Sequence, residues 1–423
     1  MNVKNINWNY TKVISFSWIG WLFDFYNLIL YSFLMLYIPD EINLTDHQLA
    51  LIYSASLSVT ALGGIILGYL SDIFGRKTMI VASIMIFSLG VVLCSFAQSF
   101  TALILFQLIT GFGIGGEWAA GHTLVNETIP KKYRGSASAF IQTGAPLGAA
   151  LAAVVGSFLT PIIGWRWSYG GSGAVSLFFA ILMIFFLPES PKFLIFKAEA
   201  ADEMKIVEDD EKERTIPRGA AYIRMTLNHQ FKDLKKVKLS LLLGIILSFF
   251  ALMAYWVIFS WAPKYLKSIL DDASWVGKIT LLAQLGAFIG YLSFGFIADI
   301  TEKPKITFFS YTVILATGAT VFAFAGTNKG MLILSFIIIG LGTGIFSGFG
   351  PLFAKIFPQK VRATGTSVSF NTGRLGTFFA PLIVTLMLNS KFGFSGAIIL
   401  GGIFALIAGL WIFLIPSVDT LEE

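Results

Sequence analysis

The stretch GYLSDIFGRKTMI, residues 68–80, places a short charged turn between two long apolar segments. Gly68 allows two helices to approach closely, and Asp72 can accept hydrogen bonds at the end of a helix. Arg76 and Lys77 put positive charge at the membrane boundary. The flanking segments have the length, about 20 residues, at which a helix crosses a hydrocarbon core of about 30 Å. The stretch therefore predicts a tight turn between two membrane-spanning helices.

The bulk composition is also that of an integral membrane protein. Of the 423 residues, 56% are hydrophobic and only 13% are charged, whereas about a quarter are charged in a soluble domain. The net charge of +6 does not indicate nucleic-acid binding, because the basic residues lie between the apolar segments and mainly on one side of them. The single cysteine, Cys94, cannot form an internal disulfide and gives no metal signal.

Twelve apolar segments have the length of a membrane span. The first dozen residues are polar, and the apolar run that follows is too long for a signal peptide, so we expect it to be retained as the first span. The twelve predicted spans are 14–38, 49–71, 78–97, 102–125, 136–160, 169–188, 240–263, 275–298, 306–326, 330–354, 363–388 and 394–416.

Lysine and arginine are distributed unevenly between the two sides of these spans. With the N-terminus inside, most of them fall in the inner turns and in the long polar connection 189–238. The positive-inside rule then predicts that both termini lie in the cytoplasm. The outer segments hold only Arg166, Lys264, Lys267, Lys278, Lys329 and Lys391.

Three landmarks of the first half recur in the second half at a nearly constant offset. They are Gly68 and Asp72 with Gly295 and Asp299, Pro130 and Arg134 with Pro358 and Arg362, and GFGIGG (111–116) with GLGTG (340–344). This pattern predicts duplication of a six-helix unit in one orientation, with a site between the two copies. We therefore expect an all-α membrane protein with two pseudo-symmetric six-helix bundles, residues 1–188 and 239–423, joined by a cytoplasmic linker, 189–238.

Only three side chains that should carry charge lie well inside the spans: Asp24, Glu117 and Arg374. A charge at that depth is costly, so each is a functional candidate. At 1.5 Å per residue, Asp24 and Arg374 fall near the midplane, one in each half. Polar and small residues repeat around them every three or four positions, which predicts a water-filled central pathway. These stripes are Ser17, Gly20, Asp24, Asn27 and Tyr31; Thr110, Gly113, Glu117 and Gly121; and Ser367, Asn371 and Arg374.

The chemistry of these three groups suggests a division of roles. The planar guanidinium of Arg374 suits a substrate carboxylate, although a static salt bridge with an acid or a gating role is also open. Asp24 suits a proton carrier, because burial favours its neutral form while a nearby arginine favours its charged form. Glu117 is a second proton candidate, with a helix–helix hydrogen bond as the alternative.

Weaker candidates for the substrate site are Gln284 in span 8 and Tyr255 and Trp256 in span 7. Each is equally compatible with a structural or packing role. His122 could relay protons, but a lone histidine near a helix end is more often a packed hydrogen-bonding residue.

The chain resembles the major facilitator superfamily over nearly its full length. GYLSDIFGRK matches the superfamily motif G-x-L-[AS]-D-x-x-G-R-[KR] between spans 2 and 3. The resemblance implies a charge network that holds one conformation closed and breaks on switching; the alternative is that the basic pair only sets topology. The implied network comprises Gly68, Asp72, Gly75, Arg76, Lys77, Glu127, Arg134, Asp299 and Arg362.

Three further stretches are similar to the organic-acid proton symporters, which carry aromatic acids, lactate, sialate and other metabolites. They are GFGIGGEWAAG (111–121), ETIPKKYRGSASAFIQTGAPLG (127–148) and FPQKVRATGTSVSFNTGR (357–374). The last contains the N-x-G-R pattern that supports a substrate role for Arg374. The chain departs from the family pattern at Gln107, Lys355 and Asn27, where an arginine and two acids are usual. Span 7 lacks the paired glutamines of sugar porters.

The predicted function is proton-coupled symport of a small organic anion across the cell membrane by a monomer in the bilayer. One alternative is a facilitator or symporter of a neutral solute such as a sugar; in a facilitator, Asp24 and Arg374 would form a permanent pair. Another is a transporter-like nutrient sensor. An enzyme is not expected, since the sequence has no phosphate-binding loop, metal-spaced His/Cys cluster or nucleophile elbow. No cofactor or nucleic-acid partner is predicted.

Overall fold

The computed structural model describes residues 10–130, 134–195, 197, 237–270, 272–357 and 362–415. Most of the predicted linker 189–238 lies outside these residues, as do the side chains of Arg134, Asp299 and Arg362. The division of the chain at 188 and 239 therefore stays a prediction. Within the described ranges the secondary structure is helical and contains no strand.

Eleven helices in the described part of the chain are long and apolar enough to cross a membrane. They fall at the places of predicted spans 1–10 and 12, and we number them accordingly. Their bounds are Tyr10–Leu34, Asp46–Phe74, Arg76–Cys94, Phe100–Thr128, Phe140–Ile163, Trp165–Phe186, Lys238–Leu270, Ser274–Ala298, Pro304–Ala323, Lys329–Phe349 and Gly393–Leu414.

Span 11 is helical but interrupted. It consists of an α-helix, Arg362–Arg374, a 3₁₀ turn, Leu375–Phe378, and a second α-helix, Phe379–Leu388. The first piece carries serine, threonine, asparagine and arginine, so it is much less apolar than the other spans. The twelve-span all-α bundle is confirmed, and the break in span 11 begins directly after Arg374.

The first two spans differ in their ends from the prediction. Span 1 ends at Leu34 instead of residue 38, and a turn leads into a short helix, Ile38–Ile42, with proline in its first turn. Span 2 begins earlier than predicted because Thr45 and Gln48 form a capping box. The Thr45 hydroxyl accepts from the Gln48 backbone N–H at 3.3 Å, and the side-chain Oε1 of Gln48 accepts from the Thr45 backbone N–H at 2.9 Å.

Glycines bring the helices into backbone contact at equivalent places in the two halves. A Cβ atom on Gly111 of span 4 would lie 2.2 Å from the Ser56 carbonyl oxygen of span 2. A Cβ atom on Gly340 of span 10 would lie 1.9 Å from the Ala283 carbonyl oxygen of span 8. Only glycine permits these crossings, and their correspondence extends the sequence repeat into three dimensions.

The two halves meet mainly along two pairs of spans, 2 with 11 and 5 with 8. At the start of span 2, Asp46 forms an ion pair with Lys264 across the halves. Deeper in the bundle, the Gln142 side-chain amide donates to the Phe346 carbonyl oxygen at 3.4 Å. This arrangement leaves a cavity in the middle of the molecule, between the halves.

Candidate functional site

The central cavity has a volume of about 550 Å³, which includes space open to solvent. Its wall is mainly aromatic and draws on spans 1, 2, 5, 7, 8, 10 and 11. Three of the residues predicted to bind substrate, Tyr255, Trp256 and Arg374, line it. The full lining is Trp21, Phe25, Leu28, Leu57, Thr60, Gln142, Leu252, Tyr255, Trp256, Tyr291, Phe346, Phe370, Arg374 and Thr377.

Arg374 presents a cation to this cavity from the end of the first helix of span 11. Its side chain is only 7% exposed, and its guanidinium carbon lies 5.3 Å from the centre of the Phe370 ring. The Nη1 group has no hydrogen-bond partner among the described residues. A buried, unsatisfied donor on a charged group is costly, so the site is suited to an anionic ligand.

Asp24 and Glu117 lie close to Arg374 without pairing with it directly. Both acids are buried, at 0% and 1% exposed, and the charges of all three groups interact. No ion pair within 4.0 Å joins any two of these three described side chains. Neither Asp24 carboxylate oxygen has a hydrogen-bond partner in the described part of the chain. Asp24, Glu117 and Arg374 therefore lie near one another in the fold, and no direct ion pair joins them.

Glu117 occupies the gap between spans 1 and 4 beside Gly20. A Cβ atom on Gly20 would lie 2.6 Å from Glu117 Oε1. Gly20 thus makes room for the carboxylate at the helix crossing, which explains why a glycine belongs to the polar stripe of span 1.

Two asparagines of the predicted stripes face neighbouring helices. Asn27 donates to the Phe23 carbonyl oxygen at 2.8 Å and accepts from the Ser172 hydroxyl of span 6 at 2.9 Å. Asn371 lies against span 2, where its Oδ1 would be 2.5 Å from a Cβ atom on Gly64. Neither belongs to the cavity lining. Their substrate contacts stay predictions.

Tyr31 and Gln284 are also buried outside the cavity lining. Tyr31 packs against Tyr53 and Tyr169, with ring centres 5.2 and 6.3 Å away. Gln107, which stands where the family has an arginine, donates to the Tyr169 hydroxyl at 2.8 Å. The substrate roles of Tyr31 and Gln284 also stay predictions.

His122 has the surroundings of a packed histidine. Its Nδ1 lies 3.2 Å from the Trp118 carbonyl oxygen, and its ring packs against the rings of Trp118 and Trp21. A proton-relay role for this residue stays a prediction.

Aromatic contacts join the two halves next to the cavity. Tyr53 of span 2 meets Trp256 of span 7 edge to face, with ring centres 5.9 Å apart. Trp118 of span 4 stacks on Phe370 of span 11 at 4.7 Å. Tyr53 lies near the start of span 2 and Trp118 nearer the end of span 4. Because spans 2 and 4 run in the same direction, the two contacts lie at different depths in the bundle.

The charged turn between spans 2 and 3 forms a network within the first half. Arg76 donates to Asp72 at 2.7 Å and to Glu127 at 3.2 Å. Glu189, which follows span 6, accepts from the backbone N–H groups of Arg76 and Lys77 at 2.9 and 3.0 Å. The start of span 3 is therefore capped by an acid from the far end of the half.

Gly75 makes this cap possible. Its φ of +100° is in the left-handed region, and a Cβ atom would lie 2.3 Å from Glu189 Oε2. Ser190 also binds Glu127 through its hydroxyl. Asp72, Arg76 and Glu127 are thus brought together as predicted, whereas Arg134, Asp299 and Arg362 have side chains outside the described part.

The Major Facilitator Superfamily profile matches residues 17–381, and a further match covers 270–422. The chain belongs to this superfamily. Its members that resemble this chain are transporters and not enzymes.

Several superfamily transporters are similar to the chain over most of its length. The niacin transporter of Acinetobacter baylyi is 29% identical, with 89% of this chain and 87% of the relative covered. The 3-(3-hydroxyphenyl)propionate transporter of Escherichia coli is 27% identical, with 90% and 87% covered. The 4-hydroxybenzoate transporter of Acinetobacter baylyi is 26% identical, with 82% and 78% covered.

Solved superfamily structures share the fold. The xylose transporter of Escherichia coli, in a partially occluded inward-open conformation, superposes with a TM-score of 0.75 over 97% of this chain and 98% of that chain. The sequence identity is 17%. The likeness therefore concerns the major facilitator fold alone.

Several cavity residues of this superfamily member could not be singled out from its sequence. Most are aromatic side chains in apolar spans, where aromatic residues are common packing groups. Gln142 differs from these residues, because it is an isolated amide in the small-residue stretch IQTGAPLG. Such a polar side chain inside a span could have been recognised as a candidate from the sequence. The others are Trp21, Phe25, Tyr291, Phe346 and Phe370.

Proposed function

We propose that this protein is a secondary active transporter that carries a small organic anion together with a proton by alternating access. The observation that carries the proposal is the unpartnered Nη1 group of Arg374, a residue in the wall of the central cavity. A carboxylate can accept two parallel hydrogen bonds from this group. The aromatic lining suits a flat or apolar body attached to that carboxylate.

The relatives support the substrate class. Their printed names include transporters of niacin, of 3-(3-hydroxyphenyl)propionate and of 4-hydroxybenzoate. Each of these substrates combines a carboxylate with a ring. We propose the same general chemistry for this chain.

The proton role is assigned to Asp24, with Glu117 as the second candidate. Both acids interact with the charge of Arg374. When a substrate anion binds Arg374, it competes with the acids for the same positive charge. Protonation of one of the two acids then restores the neutral net charge of the site, because uncompensated charge is costly in the membrane interior. This exchange couples the anion to the proton.

The same geometry argues against a facilitator with a permanent ion pair. That alternative requires a direct ion pair in which the Arg374 guanidinium donates hydrogen bonds to the Asp24 carboxylate. Both carboxylate oxygens of Asp24 and Nη1 of Arg374 are without hydrogen-bond partners in the described part of the chain. Nη1 of Arg374, which lines the cavity, is therefore open to an anionic cargo.

We assign the charge network around Arg76 to gating. Its bonds tie the turn between spans 2 and 3 to span 4 and to the end of span 6. Such a network can hold one conformation closed and break when the protein switches. Gly68, Lys77, Arg134, Asp299 and Arg362 are included in this proposal on the sequence pattern.

The proposed setting is the cell membrane, with both termini in the cytoplasm and the monomer as the functional unit. The lipid bilayer, the organic anion and the proton are the proposed partners. The proposal involves no cofactor and no nucleic acid.

A ligand screen tests the anion site. Mono-, di- and aromatic carboxylates are added to the purified protein, and thermal unfolding is followed for the wild type, Arg374→Ala and Lys278→Ala. Lys278 is an exposed cation outside the cavity, so its variant is the matched control. We expect acids to stabilise the wild type and Lys278→Ala but not Arg374→Ala. Stabilisation that survives Arg374→Ala would overturn the role of Arg374.

A further inference from the structure

The amide of Gln142 is a polar group that the first half contributes to the cavity wall. Its Nε2 donates to the Phe346 carbonyl oxygen at 3.4 Å. Because that carbonyl can only accept, the orientation of the amide is determined, and Oε1 is the atom left over. Oε1 is buried and has no donor among the described residues.

We infer that Gln142 Oε1 accepts a hydrogen bond from the substrate, so that the preferred cargo is an aromatic carboxylate with a hydroxyl or N–H donor on its ring. This inference rests on the proposed function, which places the carboxylate on Arg374. It adds a specificity residue and a narrower substrate class. A ring carrying only an acceptor, such as a pyridine nitrogen, cannot satisfy this oxygen.

The two threonine hydroxyls of the wall do not supply a donor to this oxygen. Thr60 donates to the Leu57 carbonyl oxygen at 2.5 Å, and Thr377 donates to the Arg374 carbonyl oxygen at 2.6 Å. Both hydrogens are thus used within their own helices. A buried acceptor left without a donor is costly, and a ligand that supplies the donor removes that cost.

The two polar contacts come from opposite halves of the molecule. Arg374 belongs to span 11 and Gln142 to span 5, and aromatic rings such as Phe346 and Phe370 line the same cavity. A substrate that satisfies both must carry its anion and its donor at separate positions. A substituted ring meets this condition, and its two contacts then connect the halves.

The first test needs no variant. Binding of 4-hydroxybenzoate, 4-methoxybenzoate, benzoate and nicotinate to the purified wild type is measured by isothermal titration calorimetry. The methoxy compound keeps the shape and loses the donor. We expect 4-hydroxybenzoate to bind about tenfold more tightly than the three compounds without a donor.

The second test uses Gln142→Met, which keeps the length of the side chain and removes the acceptor. We expect the preference for the hydroxylated acid to disappear while benzoate still binds, which also shows that the variant is folded. Gln107→Met is the matched control, because that buried amide bonds Tyr169 outside the cavity. It should keep the preference.

The outcomes separate the two claims. Equal binding of the four acids to the wild type overturns the role of Gln142 and leaves the carboxylate site standing. If Gln142→Met still prefers the hydroxylated acid, the role of Gln142 is likewise overturned and the carboxylate site is unaffected. Failure of every acid to bind the wild type overturns the proposed function, and this inference with it.

Discussion

At the scale of single residues, the proposed function depends on three buried ionisable side chains that interact without direct pairing. Asp24, Glu117 and Arg374 are the buried charged side chains among the described residues. Breaking a tight buried ion pair is strongly unfavourable. Charged groups that interact at longer range can exchange partners at a lower cost in free energy. This property suits a site that must bind a substrate and release it again.

This arrangement predicts a specific phenotype for Asp24→Asn. The variant keeps a polar side chain of the same size and loses the titrating proton. We expect substrate exchange across the membrane to continue, while proton-driven accumulation falls to equilibrium and becomes independent of pH. Counterflow and uptake assays at several pH values measure the two activities.

Glu117→Gln is the matched comparison. If Asp24 carries the proton, Glu117→Gln keeps part of the pH-dependent accumulation. Accumulation by Asp24→Asn with an unchanged pH dependence would contradict the assignment.

Single residues also mark the limit of prediction from sequence. Helical stripes identified Asp24, Glu117 and Arg374, because charge deep in a span is rare. A stripe does not show which of its residues face the cavity and which face a neighbouring helix. In the structure, Asn27 bonds span 6 and Asn371 lies against Gly64. Gln142 lies outside these stripes, and its amide bonds the Phe346 carbonyl oxygen, 204 residues away in the chain.

At the scale of elements, the helix crossings depend on glycine. A Cβ atom on Gly115 of span 4 would lie 1.9 Å from the Thr60 carbonyl oxygen and 2.6 Å from the Gly64 nitrogen of span 2. Backbone atoms cannot move aside as side chains can. The two helices must separate to admit even a methyl group.

Gly115→Ala is therefore expected to destabilise the protein by about 1–3 kcal/mol or more. Gly171→Ala is the control, because a Cβ atom there meets nothing within 4 Å. That variant should be neutral or slightly stabilised, since alanine has the higher helix propensity. Thermal unfolding in detergent compares the two. Similar melting temperatures would contradict the crossing geometry.

The number and order of the spans were predictable because hydropathy and length act locally. The end of span 1 and the break in span 11 were not, because both are departures from a regular helix. The acidic cap on span 3 was also missed. Glu189 is more than 100 residues from Arg76, and only folding of the six-helix unit brings the two together.

At the scale of the whole molecule, the buried charges suggest a proton count. With one cation and two acids, the empty site is neutral when the acids share one proton. A bound monovalent anion requires a second proton for neutrality. The loaded protein then carries one more proton than the empty one, so one proton accompanies each anion and no net charge moves.

Proteoliposomes test this account most directly. Uptake of an aromatic carboxylate is measured with an imposed pH gradient and, separately, with a membrane potential set by potassium and valinomycin. We predict accumulation above equilibrium that follows the pH gradient, is lost in Arg374→Ala and is unchanged by the membrane potential. Uptake that only equilibrates, or that follows the membrane potential instead of the pH gradient, would contradict it.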